Sequence, residues 1–116
     1  MRAITAEVRD KLKKKIKDVE GLFPDGLVGI VLFGSHARDE AKLSSDVDIA
    51  LVFDEAESNK AYSKALIGEL LEGAFLYLEM ELFCTTVDKV LDTENKRDTN
   101  YWIREEGDVL WATTRI

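Results

Sequence analysis

The sequence predicts an α/β protein, because helical and extended patterns alternate along its 116 residues. Residues 4–20 carry apolar side chains at helical spacing, which is typical of an amphipathic helix. Leu27–Phe33 is an apolar run rich in valine and isoleucine, as expected of a strand buried on both faces. Residues 46–53 form a second strand pattern. The length predicts a single domain over residues 1–116.

The second half of the chain continues the alternation. Residues 59–73 predict a helix, with Gly73 suited to the position after its end. Residues 74–86 predict a third strand region, in which Glu79 and Glu81 interrupt one face. Three shorter elements follow: a helical turn at 87–91, a helix at 101–106 and a strand at 109–112. Between them, the charged residues 92–100 predict a mobile loop.

The composition is that of a globular protein, with 46% hydrophobic and 34% charged residues. The net charge of −7 argues against broad nucleic-acid binding, because phosphate contacts need a basic surface. Five lysines lie between residues 11 and 17, interleaved with acidic side chains. We interpret them as a solvated helix face, the alternative being a basic patch for an acidic partner.

The sequence also bears on the location of the protein. Its single cysteine, Cys84, has no disulfide partner and no zinc-type spacing around it, so we expect a core residue. The N-terminus lacks the apolar segment of a signal peptide, and no apolar run approaches the roughly 20 residues that span a membrane. We therefore expect a cytoplasmic protein without a membrane partner.

Two aspartates stand inside an otherwise apolar strand. Asp46 and Asp48 are two residues apart, so they project from the same face at a spacing of roughly 6.5 Å. Two carboxylates there would repel each other, and divalent cations such as Mg²⁺ would remove that conflict. Two such ions about 3.5–4 Å apart can share the same aspartates. Glu81 is the candidate third carboxylate, and Glu79 is the alternative on the same face.

A Gly-Ser turn follows the first strand and predicts the other half of the site. Backbone N–H groups near Gly34 and Ser35, at the start of a short predicted helix, are suited to hold a triphosphate. Arg38 can steady the same phosphates as a fork-shaped donor. Ser45 is placed to orient Asp46. A lone Asp-x-Asp or Gly-Ser pair usually has only a structural role, but their combination predicts a site for a metal-bound nucleoside triphosphate.

These two segments resemble a known family signature. Residues 34–38 (GSHAR) and 45–49 (SDVDI) look like the GSxAR…SDxD signature of the minimal nucleotidyltransferase family, within the DNA polymerase β-like superfamily. Residues 103–110 (IREEGDVL) resemble the family's "I..EG..L" ending. The resemblance implies a mixed, twisted central sheet with helices mainly on one face. It also implies Mg²⁺-dependent transfer of a nucleoside monophosphate, usually from ATP, to a hydroxyl group.

The resemblance assigns roles to individual residues. Asp46 and Asp48 would be metal ligands, and Gly34 and Ser35 would hold the phosphates with help from Arg38. The family's third carboxylate is often an aspartate, whereas this chain offers Glu81 in that strand.

The family also suggests a partner. Its members are commonly encoded beside a HEPN-domain protein, and some pairs are toxin–antitoxin systems in which a tyrosine of the toxin is adenylylated. We therefore expect a HEPN-type protein acceptor. Two alternatives stay open: a catalytically inactive module that acts by binding such a partner, and transfer to tRNA or a small molecule. Self-association into a homo-oligomer is also left open.

Overall fold

Helices and strands are interspersed in the computed structural model, which describes residues 2–34, 37, 46–54, 60–71 and 80–113. Its elements in chain order are α1 (Arg2–Val19), a 3₁₀ turn (Glu20–Leu22), β1 (Leu27–Phe33), β2 (Val47–Phe53), α2 (Lys60–Leu71), β3 (Met80–Thr86), α3 (Val87–Asp92), α4 (Thr99–Glu106) and β4 (Asp108–Ala112). Of the short helix predicted at 36–41, only Ala37 lies in the described part of the chain. No helix in these ranges is long and apolar enough to cross a membrane.

The strands form one mixed sheet in the order β3-β2-β1-β4. β1 pairs antiparallel with both β2 and β4, whereas β2 pairs parallel with β3. β1 has a neighbour on each side, and its first six residues are buried, which accounts for its continuous apolar sequence. The mixed sheet with its helices confirms the predicted fold class.

One face of the sheet is covered by the two longer helices. α1 contributes Val8, Leu12 and Ile16, which lie four residues apart and are all buried, and α2 contributes Ile67. They pack on the side chains that the strands present to this face, namely Leu27, Ile30, Leu32, Val47, Ile49, Leu51, Phe53 and Leu110. Each such buried side chain stabilises the fold by about 1.5–3 kcal/mol. Cys84 is partly buried against this cluster, as expected for a core cysteine.

The opposite face is covered by the short helices α3 and α4. Ile103 of α4 packs with Val28 and Val31 of β1 and with Ala50 and Val52 of β2. Asp48 belongs to this face as well, because side chains two residues apart on a strand point the same way. The carboxylate face of β2 is therefore the face that α4 covers.

Side chains from α4 form hydrogen bonds with the end of α3 and with the segment that follows it. Nη1 of Arg104 donates hydrogen bonds to the carbonyl oxygens of Val90 (3.2 Å), Leu91 (3.0 Å) and Thr93 (2.7 Å). A cation at these carbonyls satisfies the end of α3 and also complements its dipole. Nε1 of Trp102 donates to the carbonyl oxygen of Lys96 at 2.7 Å.

The prediction that the loop extends to residue 100 is wrong, because α4 begins at Thr99. Asp98 is the N-cap, and its carboxylate accepts hydrogen bonds from the backbone N–H and the side-chain amide of Asn100, both at 2.9 Å. The side-chain amide oxygen Oδ1 of Asn100 accepts in turn from the hydroxyl of Thr85, which is fully buried in β3. This chain of hydrogen bonds fixes the start of α4 to β3.

The "I..EG..L" ending has a packing explanation. Ile103 and Leu110 are buried on opposite faces of the sheet. A Cβ atom at Gly107 would lie 2.1 Å from the carbonyl oxygen of Ile103 and 2.5 Å from Cγ1 of Val31. Glycine at 107 therefore lets the chain leave α4 and enter β4 directly beside β1.

We expect Gly107→Ala to destabilise the protein by about 1–3 kcal/mol, the usual cost of overpacking a filled site. The free energy of unfolding in urea measures the change. Gly21→Ala is the matched control, because a Cβ atom there would meet nothing within 4 Å. Equal stabilities for the two variants would contradict the packing explanation.

The Asp98 cap should make stability depend on acid pH. The hydrogen bond from the Asn100 backbone N–H holds the pKa of Asp98 below its ordinary value of 3.8. Because the pKa is lowered in the folded state, the charged cap contributes its full stabilisation above the ordinary value of 3.8. This contribution is lost as the pH falls through the folded pKa. Asp98→Asn keeps a neutral cap but removes the charge. We expect the wild type to exceed this variant in free energy of unfolding at pH 7, with the difference shrinking as the pH falls below 3.8 and on through the lower folded pKa. A difference that is constant with pH would contradict the assignment.

Candidate active site

Two of the predicted carboxylates are direct neighbours across the sheet. β2 and β3 pair in parallel with Asp48 opposite Glu81, and β1 pairs with β2 so that Phe33 is opposite Asp48. Opposed residues on adjacent strands share a face, and the strands are about 4.8 Å apart. The end of β1 and the starts of β2 and β3 therefore lie next to one another, at the same end of the strands. Asp48 is half-buried there, and Glu81 is exposed.

The backbone at Gly34 makes room for the Asp48 carboxylate. Gly34 has a φ of 75°, in the left-handed region that favours glycine. A Cβ atom added to it would lie 2.3 Å from Oδ2 of Asp48. Any other residue at 34 would therefore be strained in its backbone and would also collide with this carboxylate.

A cleft of about 1170 Å³ opens beside the two carboxylates. It has lining residues on both faces of β3, so it extends around this strand, which is an edge of the described sheet. The lining comprises Phe33, Asp48, Lys64, Ala65, Gly68, Glu69, Met80, Glu81, Leu82, Phe83 and Thr99. Acidic, basic and hydroxyl groups thus surround a space that is also bordered by two aromatic rings.

Asp46 differs from the other two carboxylates in its position. It is exposed and comes just before β2, whereas the sequence pattern placed it inside the strand. It is not among the residues that line the cleft. Within residues 2–34, 37, 46–54, 60–71 and 80–113, no three histidine, cysteine, aspartate or glutamate side chains form a group that could hold a metal ion.

The remaining predicted site residues lie outside the described ranges. They are Ser35, Arg38 and Ser45, together with Glu79, the alternative to Glu81. Of the phosphate-binding segment, the structure therefore describes Gly34 and Ala37, and Ala37 is partly buried against the core under α1 and α2. The roles assigned to these residues stay predictions.

Several residues of the cleft were not found from the sequence. Phe83 follows Glu81 by two positions, so strand alternation already put both on one face. Phe33 immediately precedes the Gly-Ser turn, which is a local signal as well. Lys64, Glu69 and Thr99 come from α2 and α4. Their position in the cleft depends on how the helices pack against the sheet, which no local sequence pattern indicates.

Comparison with known proteins identifies the family of the chain. Residues 9–106 match the family model described as "Nucleotidyltransferase domain". The chain belongs to the nucleotidyltransferase domain family. No curated protein matches it in sequence.

Two crystal structures share the fold. A provisionally assigned nucleotidyltransferase from Sulfolobus solfataricus superposes with a TM-score of 0.61 at 17% identity, covering 97% of this chain and 88% of that chain. A toxin–antitoxin crystallised with AMP-PNP superposes with a TM-score of 0.56 at 22% identity, covering 92% of this chain and 75% of that chain. At these identities the likeness establishes the arrangement of the strands and helices.

The contact between Gly34 and Asp48 can be tested by a double-mutant cycle. Gly34→Ala should destabilise the wild type through backbone strain of about 1–2 kcal/mol and through the collision with Oδ2 of Asp48. In an Asp48→Ala background the collision disappears while the strain remains. The coupling between the two substitutions, measured by urea unfolding, should fall in the range of about 0.5–3 kcal/mol seen for residues in contact. Additive effects would contradict the close approach.

Proposed function

We propose that this protein is a Mg²⁺-dependent nucleotidyltransferase that moves AMP from ATP to a hydroxyl group on a partner protein. The observation that carries the proposal is the register of Asp48 and Glu81, which are opposed on parallel strands beside the Gly34 turn. Membership of the nucleotidyltransferase domain family supports the reaction class.

The chemistry of the carboxylates fits Mg²⁺. Asp46, Asp48 and Glu81 offer oxygen ligands, which Mg²⁺ prefers, and the exposure of Asp46 and Glu81 leaves space for waters and phosphates. These three residues would hold the metal, two ions being the number that the paired aspartates can share. When bound, the metal supplies positive charge that stabilises the triphosphate and the leaving pyrophosphate.

Other residues of the chain would bind the phosphates, orient Asp46 and accept a proton. Gly34 and Ser35 would hold the phosphates through backbone N–H groups and the hydroxyl, and Arg38 would donate to the same oxygens. Ser45 would orient Asp46. The acceptor oxygen attacks the α-phosphorus, the bond to the bridging oxygen of the β-phosphate breaks, and pyrophosphate leaves. Glu81, which is exposed and opposite Asp48 in the register, would accept the proton of the acceptor hydroxyl.

A protein acceptor agrees best with the charge of the chain. With a net charge of −7, the surface is poorly suited to a long RNA. One solved structure of the same fold is a toxin–antitoxin with AMP-PNP. We therefore infer a HEPN-domain partner encoded beside this chain, with a tyrosine hydroxyl as the attacking group.

A second candidate is a module that neutralises its partner by contact alone. It is favoured by the observation that no three potential metal ligands converge within the described part of the chain. The two candidates differ in whether the carboxylates are needed.

The test is incubation of the protein with labelled ATP, Mg²⁺ and the purified HEPN-domain protein, followed by mass spectrometry. We expect the partner to gain the mass of one AMP. Asp48→Asn and Glu81→Gln should lower the rate of transfer at least about 100-fold, because each removes a charged ligand of the metal that would stabilise the reacting phosphate.

Asp54→Asn is the matched control, since Asp54 is exposed at the opposite end of β2 and should leave the rate unchanged. Partner neutralisation that persists in Asp48→Asn would exclude the catalytic proposal in favour of contact alone. Transfer to tRNA or to an aminoglycoside, but not to the HEPN-domain protein, would instead retain the reaction and change the acceptor.

A further inference from the structure

Two phenylalanines border the cleft beside the carboxylates. The rings of Phe33 and Phe83 meet edge to face, with centroids 6.4 Å apart and planes at 67°. Both residues line the same cleft as Asp48 and Glu81. Strand alternation puts them on the carboxylate face, since Phe33 is opposite Asp48 in the register and Phe83 follows Glu81 by two residues.

The two phenylalanine rings pack against the core on one side and line the cleft on the other. Both rings are half-buried, and both pack against the core cluster under α4, which contains Val31, Ala50 and Ile103. A ring held by its neighbours loses little conformational freedom when a ligand binds to it. Both rings line the cleft, so the cleft has an aromatic, apolar wall beside the carboxylates.

We propose that Phe33 and Phe83 form the subsite for the base of the nucleotide. The inference rests on the proposed use of a nucleoside triphosphate and adds the group that recognises its ring. Aromatic side chains stack on nucleobases with little preference among them, because every base has a π-face.

The position of the pair favours the base over the other parts of the substrate. Phe33 is the residue before Gly34, where the triphosphate is proposed to bind. Phe83 is roughly 6.5 Å beyond Glu81 along β3, away from the end of the strand where Asp48 and Glu81 lie. Apolar rings cannot satisfy phosphate oxygens, so the phosphates belong at the turn and at the metal that the carboxylates would hold. A flat base can instead cover Phe83.

The experiment compares two probes, Mg-ATP and Mg-tripolyphosphate, by isothermal titration calorimetry. We expect Phe83→Leu and Phe33→Leu to weaken Mg-ATP binding by about 5- to 100-fold, the range expected for the loss of stacking on one base. Binding of Mg-tripolyphosphate, which has no ring, should stay unchanged. Phe83→Tyr keeps the ring and should keep the affinity for Mg-ATP.

The matched control is Phe23→Leu. Phe23 is also a half-buried ring in an edge-to-face pair, with Trp111 at 5.0 Å, but it packs against the core under α1 and does not line the cleft. It should bind both probes as the wild type does. Circular dichroism and urea unfolding establish that each variant is folded.

Three results would overturn the subsite: Mg-ATP affinity that is unchanged in both leucine variants, an equal loss of affinity for both probes, or a rise only in the KM for the protein acceptor. None of these results bears on whether the wild type transfers AMP, so the proposed function would stand. If the leucine variants lose affinity for Mg-ATP but not for Mg-tripolyphosphate, and the wild type transfers AMP to no acceptor, the proposed function fails and the base subsite remains.

Discussion

The candidate site depends on the parallel pairing of β2 with β3. In this register Asp48 faces Glu81 across adjacent strands, and the antiparallel pairing of β1 with β2 brings Phe33 and the Gly34 turn to the same edge. A slip of one residue between β2 and β3 would put Glu81 on the opposite face of the sheet from Asp48. Met80, Leu82 and Cys84 of β3 are partly buried against the core under α1 and α2, and a slip would take these side chains off that core.

The short helices hold the carboxylate face in place. α4 is joined to β3 through Asn100 and Thr85, and Arg104 attaches α3 to α4 by three carbonyl contacts. Thr99, the first residue of α4, lines the cleft, while Ile103 of the same helix is buried in the core. The wall of the cleft and the interior of the protein are thus supported by one eight-residue helix.

Much of this arrangement could be predicted from local pattern. The apolar run of β1, the alternation in β2 and the spacing of Val8, Leu12 and Ile16 each depend on periodicity, which the sequence carries directly. The start of α4 was missed because its cap, Asp98, lies within a run of charged and polar residues that also reads as a loop. The register that opposes Asp48 to Glu81 and the approach of Lys64 to the cleft depend on contacts between distant segments, and no local pattern encodes them.

The close approach of Gly34 to Asp48 limits which acids the site can use. With Oδ2 of Asp48 already filling the space that a Cβ atom of residue 34 would take, a glutamate at 48 would have to direct its extra methylene elsewhere. Glu81 is exposed and under no such restriction. The two neighbouring acids therefore differ in reach: position 48 requires the shorter side chain, whereas the edge strand tolerates the longer one. An aspartate at 81 and the glutamate found here are both compatible with this backbone, so a related chain could carry either acid at 81 without any change at Gly34 or Asp48.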